Sequence, residues 1–214
     1  MTTLADLRGA ARLRLDDVAT PHGWSDAELN AWINEAIREA STRARLNPVA
    51  EDLALVAGVA EYAVPEFVFV YRARLRSTGG ILTRTTRADL DDRSTFWETA
   101  TGIPRAFLVE GETLTVYPTP TAADTLELRT EQYPTKLTGD THRLESACLL
   151  DAGEVETLLE WVMYRAGQKR DVDFTLPNPE QYEANFTRYF GPRPSSRVRR
   201  GWLEAGPTST VRIP

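Results

Sequence analysis

The sequence holds one cysteine, Cys148, and two histidines, His22 and His142, in 214 residues. A single cysteine rules out an internal disulfide, and so few histidines leave no cysteine–histidine set for a structural zinc site. The lone thiol fits a protein made in a reducing cytoplasm. Apolar runs are short, and none approaches the ~20 residues that a membrane-spanning helix needs. No charged-then-apolar leader opens the sequence, so the expectation is a protein with neither a membrane span nor a signal peptide. Catalytic motifs are missing too. Gly79-Gly80 is too short to cradle a phosphate and leads into no lysine-bearing helix, so it reads as a turn. No G-x-S-x-G elbow frames a serine, and no repeat of solenoid length is present.

What is present suits one domain of generous size, or one domain with an extension, since 42% of the residues are hydrophobic. The net charge of −6 hides an asymmetry. From Gly191 onward there are five arginines (Arg193, Arg197, Arg199, Arg200 and Arg212) against Glu204 alone, so the first 190 residues carry −10. An acidic body repels duplex DNA, and a basic extension favours an acidic partner.

The most legible element runs from Trp24 to Asn47. Ser25 and Glu28 stand three apart as a capping box, and Trp24 and Leu29 can close a hydrophobic staple around the cap. Leu29, Trp32, Ile33, Ala36, Ile37, Ala40 and Ala44 then share a stripe at helical spacing, with Trp32 and Ile33 expected in the core. Asn47-Pro48 ends the helix, because a residue before proline is pushed out of helical geometry. Leu4, Leu7, Ala11 and Leu15 mark an earlier helix over about 3–18. The loop at 19–23 turns it into the long one, which predicts a helical hairpin.

The period changes from Leu53. Short strand-like pieces at 53–59 and 61–64 flank Gly58. Phe67 to Leu75 reads as a long strand, Thr78-Gly79-Gly80 as a hairpin turn into Ile81, and 86–92 as a short helix. Trp97 is a core anchor. Residues 105–109 and 113–117 flank Glu110-Gly111-Glu112 as a tight antiparallel hairpin, and Pro118 and Pro120 stop it. Thr125 to Tyr133 alternates apolar and polar. Helical spacing returns at 154–169 through Val155, Leu158, Leu159, Val162 and Ala166. A last helix at 179–190 opens on Pro179, carries Tyr182, Phe186, Tyr189 and Phe190, and closes at Gly191. The reading is therefore α+β, with one main domain over 1–190, a β-rich middle over about 53–133, and an extended arm over 191–214. The arm's prolines, serines and arginines cannot bury enough surface to fold alone.

Several groups invite chemistry and are outweighed by plainer roles. Asp91-Asp92 and Asp171/Asp173 lack a second ligand set or a raised-pKa partner, so solvated loop acids are the better reading. His142 with Ser146 or Cys148 has no framing motif for a nucleophile. The aromatic stripe Tyr182–Phe190 fits core packing better than a base-stacking platform. In the arm, Arg197-Val-Arg199-Arg200-Gly-Trp202 suits phosphate contact or docking in an acidic protein groove, with Trp202 as anchor. The −10 of the body favours docking, and the candidate partner-binding residues are Arg193, Arg197, Arg199, Arg200, Trp202 and Arg212. No catalytic, cofactor or metal residues are assigned, and no enzymatic activity is expected.

Five segments in order carry a family resemblance: W-S-D-A-E-L-N-A-W-I-N-E-A (24–36), G-V-A-E-Y-A-V-P (58–65), G-I-P-R-A-F (102–107), L-T-V-Y-P-T-P (114–120) and L-E-L-R-T-E-Q-Y-P (126–134). Together they resemble the head-to-tail adaptor (connector or tail tubular) proteins of tailed bacteriophages, over most of 1–190; residues 140–151 match that pattern poorly. The resemblance implies a helical bundle drawn from both chain ends with an antiparallel β-rich insertion. It also implies a ring, usually twelvefold, beneath the portal protein, with tail or nozzle components below and DNA passing through without specific binding. The location it implies is the neck of the virion, after assembly in the host cytoplasm. The alternative is a nucleic-acid-binding or packaging-related module using the basic C-terminal stretch.

Overall fold

Side chains that close helix ends set the first two elements. In the computed structural model, which describes residues 2–65, 67–150, 152–169 and 178–195, α1 spans Leu4–Arg14 and α2 spans Asp26–Ala44. Thr3 and Asp6 cap α1 reciprocally, and Ser25 and Glu28 do the same for α2. Each pair satisfies two of the N–H groups that a helix start leaves open. α1 ends short of the expected Val18. Asp16 turns left-handed (φ 54°), and buried Asp17 accepts the N–H groups of Gly23 (2.7 Å) and Trp24 (3.3 Å) while pairing with Arg12. That acid-centred turn holds the loop shape and delivers Trp24 to the core, 1% exposed.

The α2 stripe differs from expectation at two positions. Leu29, Ile33, Ala36, Ile37 and Ala40 are buried, but Trp32 is only partly buried against the core. Ala44 is exposed, because the buried face continues through Ser41, one turn past Ile37. Trp24 and Trp32 meet edge to face at 5.4 Å.

The strands follow as β1 (Pro48–Leu55), β2 (Glu61–Ala63), β3 (Phe67–Leu75) and β4 (Thr83–Arg84). Helix α3 (Arg87–Arg93), capped by Thr86, leads to β5 (Thr101–Gly102), β6 (Ala106–Glu110), β7 (Thr113–Tyr117), β8 (Thr119–Pro120) and β9 (Asp124–Gln132). The last two helices are α4 (Val155–Gln168) and α5 (Pro179–Phe190). The described residues are thus mixed α and β, and most strand pairs are antiparallel.

Contacts divide the chain into two compact units, one of Met1–Asn47 with Tyr133–Arg193, the other built on Pro48–Gln132; both lie within the stretch that the sequence reading treats as one domain. In the first, α1, α2, α4 and α5 share one core containing Leu7, Ile33, Leu158, Val162 and Phe186. Each such side chain, fully withdrawn from water, contributes about 1.5–3 kcal/mol. Arg43 ties α2 to α5. Its buried guanidinium pairs with Glu39 (3.1 Å) and Glu183 (3.5 Å) and lies over the rings of Trp161 and Phe186.

In the second unit, β9 is the middle strand of a three-stranded sheet, antiparallel to both β1 and β3. A four-stranded sheet runs β2-β7-β6-β4, with β6 and β7 joined by the expected hairpin at Gly111 (φ 63°). The inner faces of these two sheets share Leu55, Val70, Leu75, Phe107, Leu114 and Leu126, among others. β1 starts at Pro48, five residues before the expected Leu53. Its pattern of alternating partial burial is that of an edge strand with one wet face, which reads as polar until its partner is known. It also ends at Leu55, so Val56 and Val59 belong to an exposed turn that the Tyr62 hydroxyl braces against their carbonyls.

Candidate functional site

No catalytic constellation forms among the described candidates. Asp91 and Asp92 are exposed on α3, and the Asp91 carboxylate accepts the Trp97 indole N–H at 2.7 Å, a packing role. Asp171 and Asp173 lie outside the described residues. The His142 ring nitrogen Nδ1 accepts the Thr138 N–H at 3.2 Å, while the Ser146 hydroxyl donates to the Arg143 carbonyl at 2.6 Å. Both are loop-closing bonds and neither reaches Cys148. Burial pushes the Cys148 thiol up to about 11, so it stays protonated and poorly nucleophilic at neutral pH. The aromatic stripe of α5 splits by position: Phe186 and Phe190 are buried and Tyr182 packs beside them, whereas Tyr189 is exposed. Thr78-Gly79-Gly80 forms the expected turn, with Gly79 at φ 70° and the Gly80 carbonyl accepting from the Leu75 N–H.

Among the described residues, no group of three or more His, Cys, Asp or Glu side chains is placed to hold a metal ion. No helix among them is long and apolar enough to cross a membrane.

Two charged surfaces remain. Of the six candidate arm residues, only Arg193 is described; Arg197, Arg199, Arg200, Trp202 and Arg212 lie outside the described residues. Arg193 pairs with Glu39 on α2 at 2.7 Å, beside the Glu39–Arg43 pair. Arg43 also donates to the Gly191 carbonyl at 3.4 Å, just past the last turn of α5. The root of the arm is therefore fixed to α2 by charge-assisted bonds. Sequence reasoning missed both Glu39 and Arg43, because their meeting depends on α2 and α5 packing side by side.

A second surface was not foreseen either. On the outer face of the three-stranded sheet, Arg72 and Arg74 of β3, with Arg76 just past its end, alternate beside Arg129 of β9. They line a depression of about 590 Å³ together with Asp52 and Glu127. The period-2 spacing Arg-x-Arg-x-Arg was the available signal.

Comparison with known families returns the family described as SU10 adaptor protein, matched over residues 2–211. The chain belongs to the SU10 adaptor protein family. The match spans nearly the whole sequence, both units and the basic C-terminal stretch included. Membership makes the protein a structural adaptor of a bacteriophage and a component of the virion, in a family that is structural and not enzymatic. Comparison with curated proteins finds no matching relative.

Proposed function

We propose that this adaptor joins the portal of the phage head to the tail, as a ring of twelve copies through which DNA passes. The observation that carries the reading is the family match over residues 2–211. The charge distribution supports it: an acidic body does not grip a passing polyanion. The ring lies in the neck of the particle, with the portal on one side and a tail or nozzle protein on the other. Free subunits are monomers or weak oligomers that close into a ring only on the portal.

The arm over 191–214 is the docking element. Its 24 residues, at ~3.3 Å each, span roughly 80 Å when extended, enough to cross a neighbouring subunit. Arg197, Arg199 and Arg200 meet carboxylates of the partner while Trp202 fills a pocket, with Arg193 and Arg212 at either end. Deleting 192–214 is expected to leave the helices and sheets folded and to abolish or greatly weaken attachment to isolated portal. Arg199→Glu with Arg200→Glu should weaken attachment in the same direction, and added salt should mimic that in part. Truncated protein that binds portal as well as the full chain overturns the role of the arm.

A further inference from the structure

We propose that the two outer faces of the β unit form a head-to-tail contact between copies of this chain, the arginine face of one copy seated on the acidic face of the next. The proposal rests on the ring reading above and names the surfaces that would build it.

The arginine face contains a like-charge pair set by register. Arg72 of β3 stands directly opposite Arg129 of β9, and the residue on the other side of Arg129 is Ala50 of β1. Like charges directly opposite on neighbouring strands destabilise a sheet. Farther along the same face the charges are answered. Arg76 pairs with Asp52 (2.5 Å) and Glu127 (3.1 Å), and Arg74 lies 3.6 Å from Glu127. Arg72 and Arg129 are both exposed, and neither has an ion pair or hydrogen bond among the described residues. Two adjacent guanidinium groups over an open depression are suited to hold one or two carboxylates in bidentate fashion.

The opposite face of the same unit carries the complement. The two sheets share a core through their inner faces, so their outer faces point in opposite directions. On the four-stranded sheet, Leu108 points outward and is covered by Leu90 of α3 and by Trp97, which places α3 on that side. Glu61 of β2 points outward as well, since its neighbour Tyr62 packs into the core. Glu61 and Asp92 of α3 are exposed and without an ion pair among the described residues. Nearby, Glu98 and Glu110 share the single Arg87. Arg93, next to Asp92, is exposed as well, yet carboxylates are in excess on this side.

A body with an excess of arginine on one side and of carboxylate on the other is not self-complementary about a two-fold axis. It is complementary to itself by translation or rotation in one sense, which is the heterologous contact that closes rings. Charge placed this way sets register and rejects wrong partners more than it supplies affinity. The second copy is favoured over nucleic acid because Glu51, Asp52 and Glu127 line the same depression as the arginine pair and would repel a polyanion.

The test uses two full-length variants, Arg72→Glu/Arg129→Glu and Glu61→Lys/Asp92→Lys, with circular dichroism to confirm folding. Sedimentation velocity over a concentration series at low salt should show weak, salt-sensitive self-association of the unaltered chain. Each variant alone should associate at least about tenfold more weakly, since each now opposes like charges. An equimolar mixture should restore association, because the reversed face of one variant complements the reversed face of the other. If the arginine reversal unfolds the protein, Arg72→Gln/Arg129→Gln should still weaken association. If the unaltered chain stays monomeric in solution, the same comparison is read from ring formation on isolated portal. Variants that associate normally, or folded variants whose mixture fails to recover, would each overturn the proposal. Duplex DNA retained by the unaltered chain and lost from the arginine variant would assign the face to phosphate and overturn it too. Portal attachment by the arginine variant is measured separately, so failure of this contact and failure of the adaptor reading are distinguishable.

Discussion

Trp24→Ala should destabilise the helical unit far more than Trp32→Ala, although the long helix alone makes Trp32 the natural core residue. Trp24 is 1% exposed, whereas Trp32 only flanks the core. Emptying a fully buried large aromatic costs about 3–5 kcal/mol. Trp24 also forms an edge-to-face pair with Trp32 at 5.4 Å, and the Lys169 ammonium lies 5.0 Å from its ring centre. Such an aromatic pair adds about 0.5–1.5 kcal/mol and the cation about 0.5–1 kcal/mol. Trp32→Ala loses the shared pair and partial burial, about 1–2 kcal/mol. Urea unfolding read through the reactivity of Cys148, which is buried in this same core, isolates the helical unit from the β unit. A double-mutant cycle on the two tryptophans should show coupling of about 0.5–1.5 kcal/mol. A Trp32→Ala cost equal to or above that of Trp24→Ala would refute the assignment of Trp24 as the staple and Trp32 as its flank.

Three further outcomes follow from the same geometry. Hydrogen bonding from Lys169, with help from Ser25, holds the Glu28 carboxyl down at about 2 against an ordinary 4.5. A depressed carboxyl stabilises the fold above its unfolded value, and that contribution is lost as pH falls from about 4.5 toward 2. Lys169→Met should raise the Glu28 titration midpoint in an NMR titration and cost no more than about 1 kcal/mol at pH 7, since both side chains are about a third exposed (37% and 35%); an unmoved midpoint contradicts the pairing. Arg43→Met should cost about 1–3 kcal/mol, because it removes a buried guanidinium from the Glu39 and Glu183 carboxylates, which keep only Arg193 and Thr187, and a melt within error of the unaltered protein would show that the cluster is not buried. The Cys148 thiol should label with a thiol reagent only as fast as the helical unit opens, and prompt labelling of native protein would contradict its burial.

How far the sequence revealed the fold depended on how local each determinant is. The α2 start needed only Ser25, Glu28 and Trp24 within five residues, and the β6–β7 hairpin only Gly111 between two apolar runs; both stand where spacing placed them. The end of α1 was misplaced, because the turn that stops it is held by Asp17 reaching six and seven residues ahead. The start of β1 was hidden, because Pro48 pairs with Glu131, more than eighty residues away. The arginine pair was equally unreadable: Arg72 and Arg129 meet only through the β3–β9 register. The division into two units depends on the chain crossing at Asn47–Pro48 and returning at Gln132–Tyr133, which no local pattern encodes. Charge in the C-terminal stretch was visible at once, but the anchoring of Arg193 to Glu39 required the packing of α2 beside α5.

The adaptor role itself is tested most directly by cryo-electron microscopy of the phage neck with this protein's density located. The account predicts a ring of its copies between the portal and the first tail component, around the DNA channel, with a basic C-terminal segment of each copy crossing onto a partner. Density for the protein elsewhere in the particle, or a neck in which portal and tail meet without it, would contradict the account.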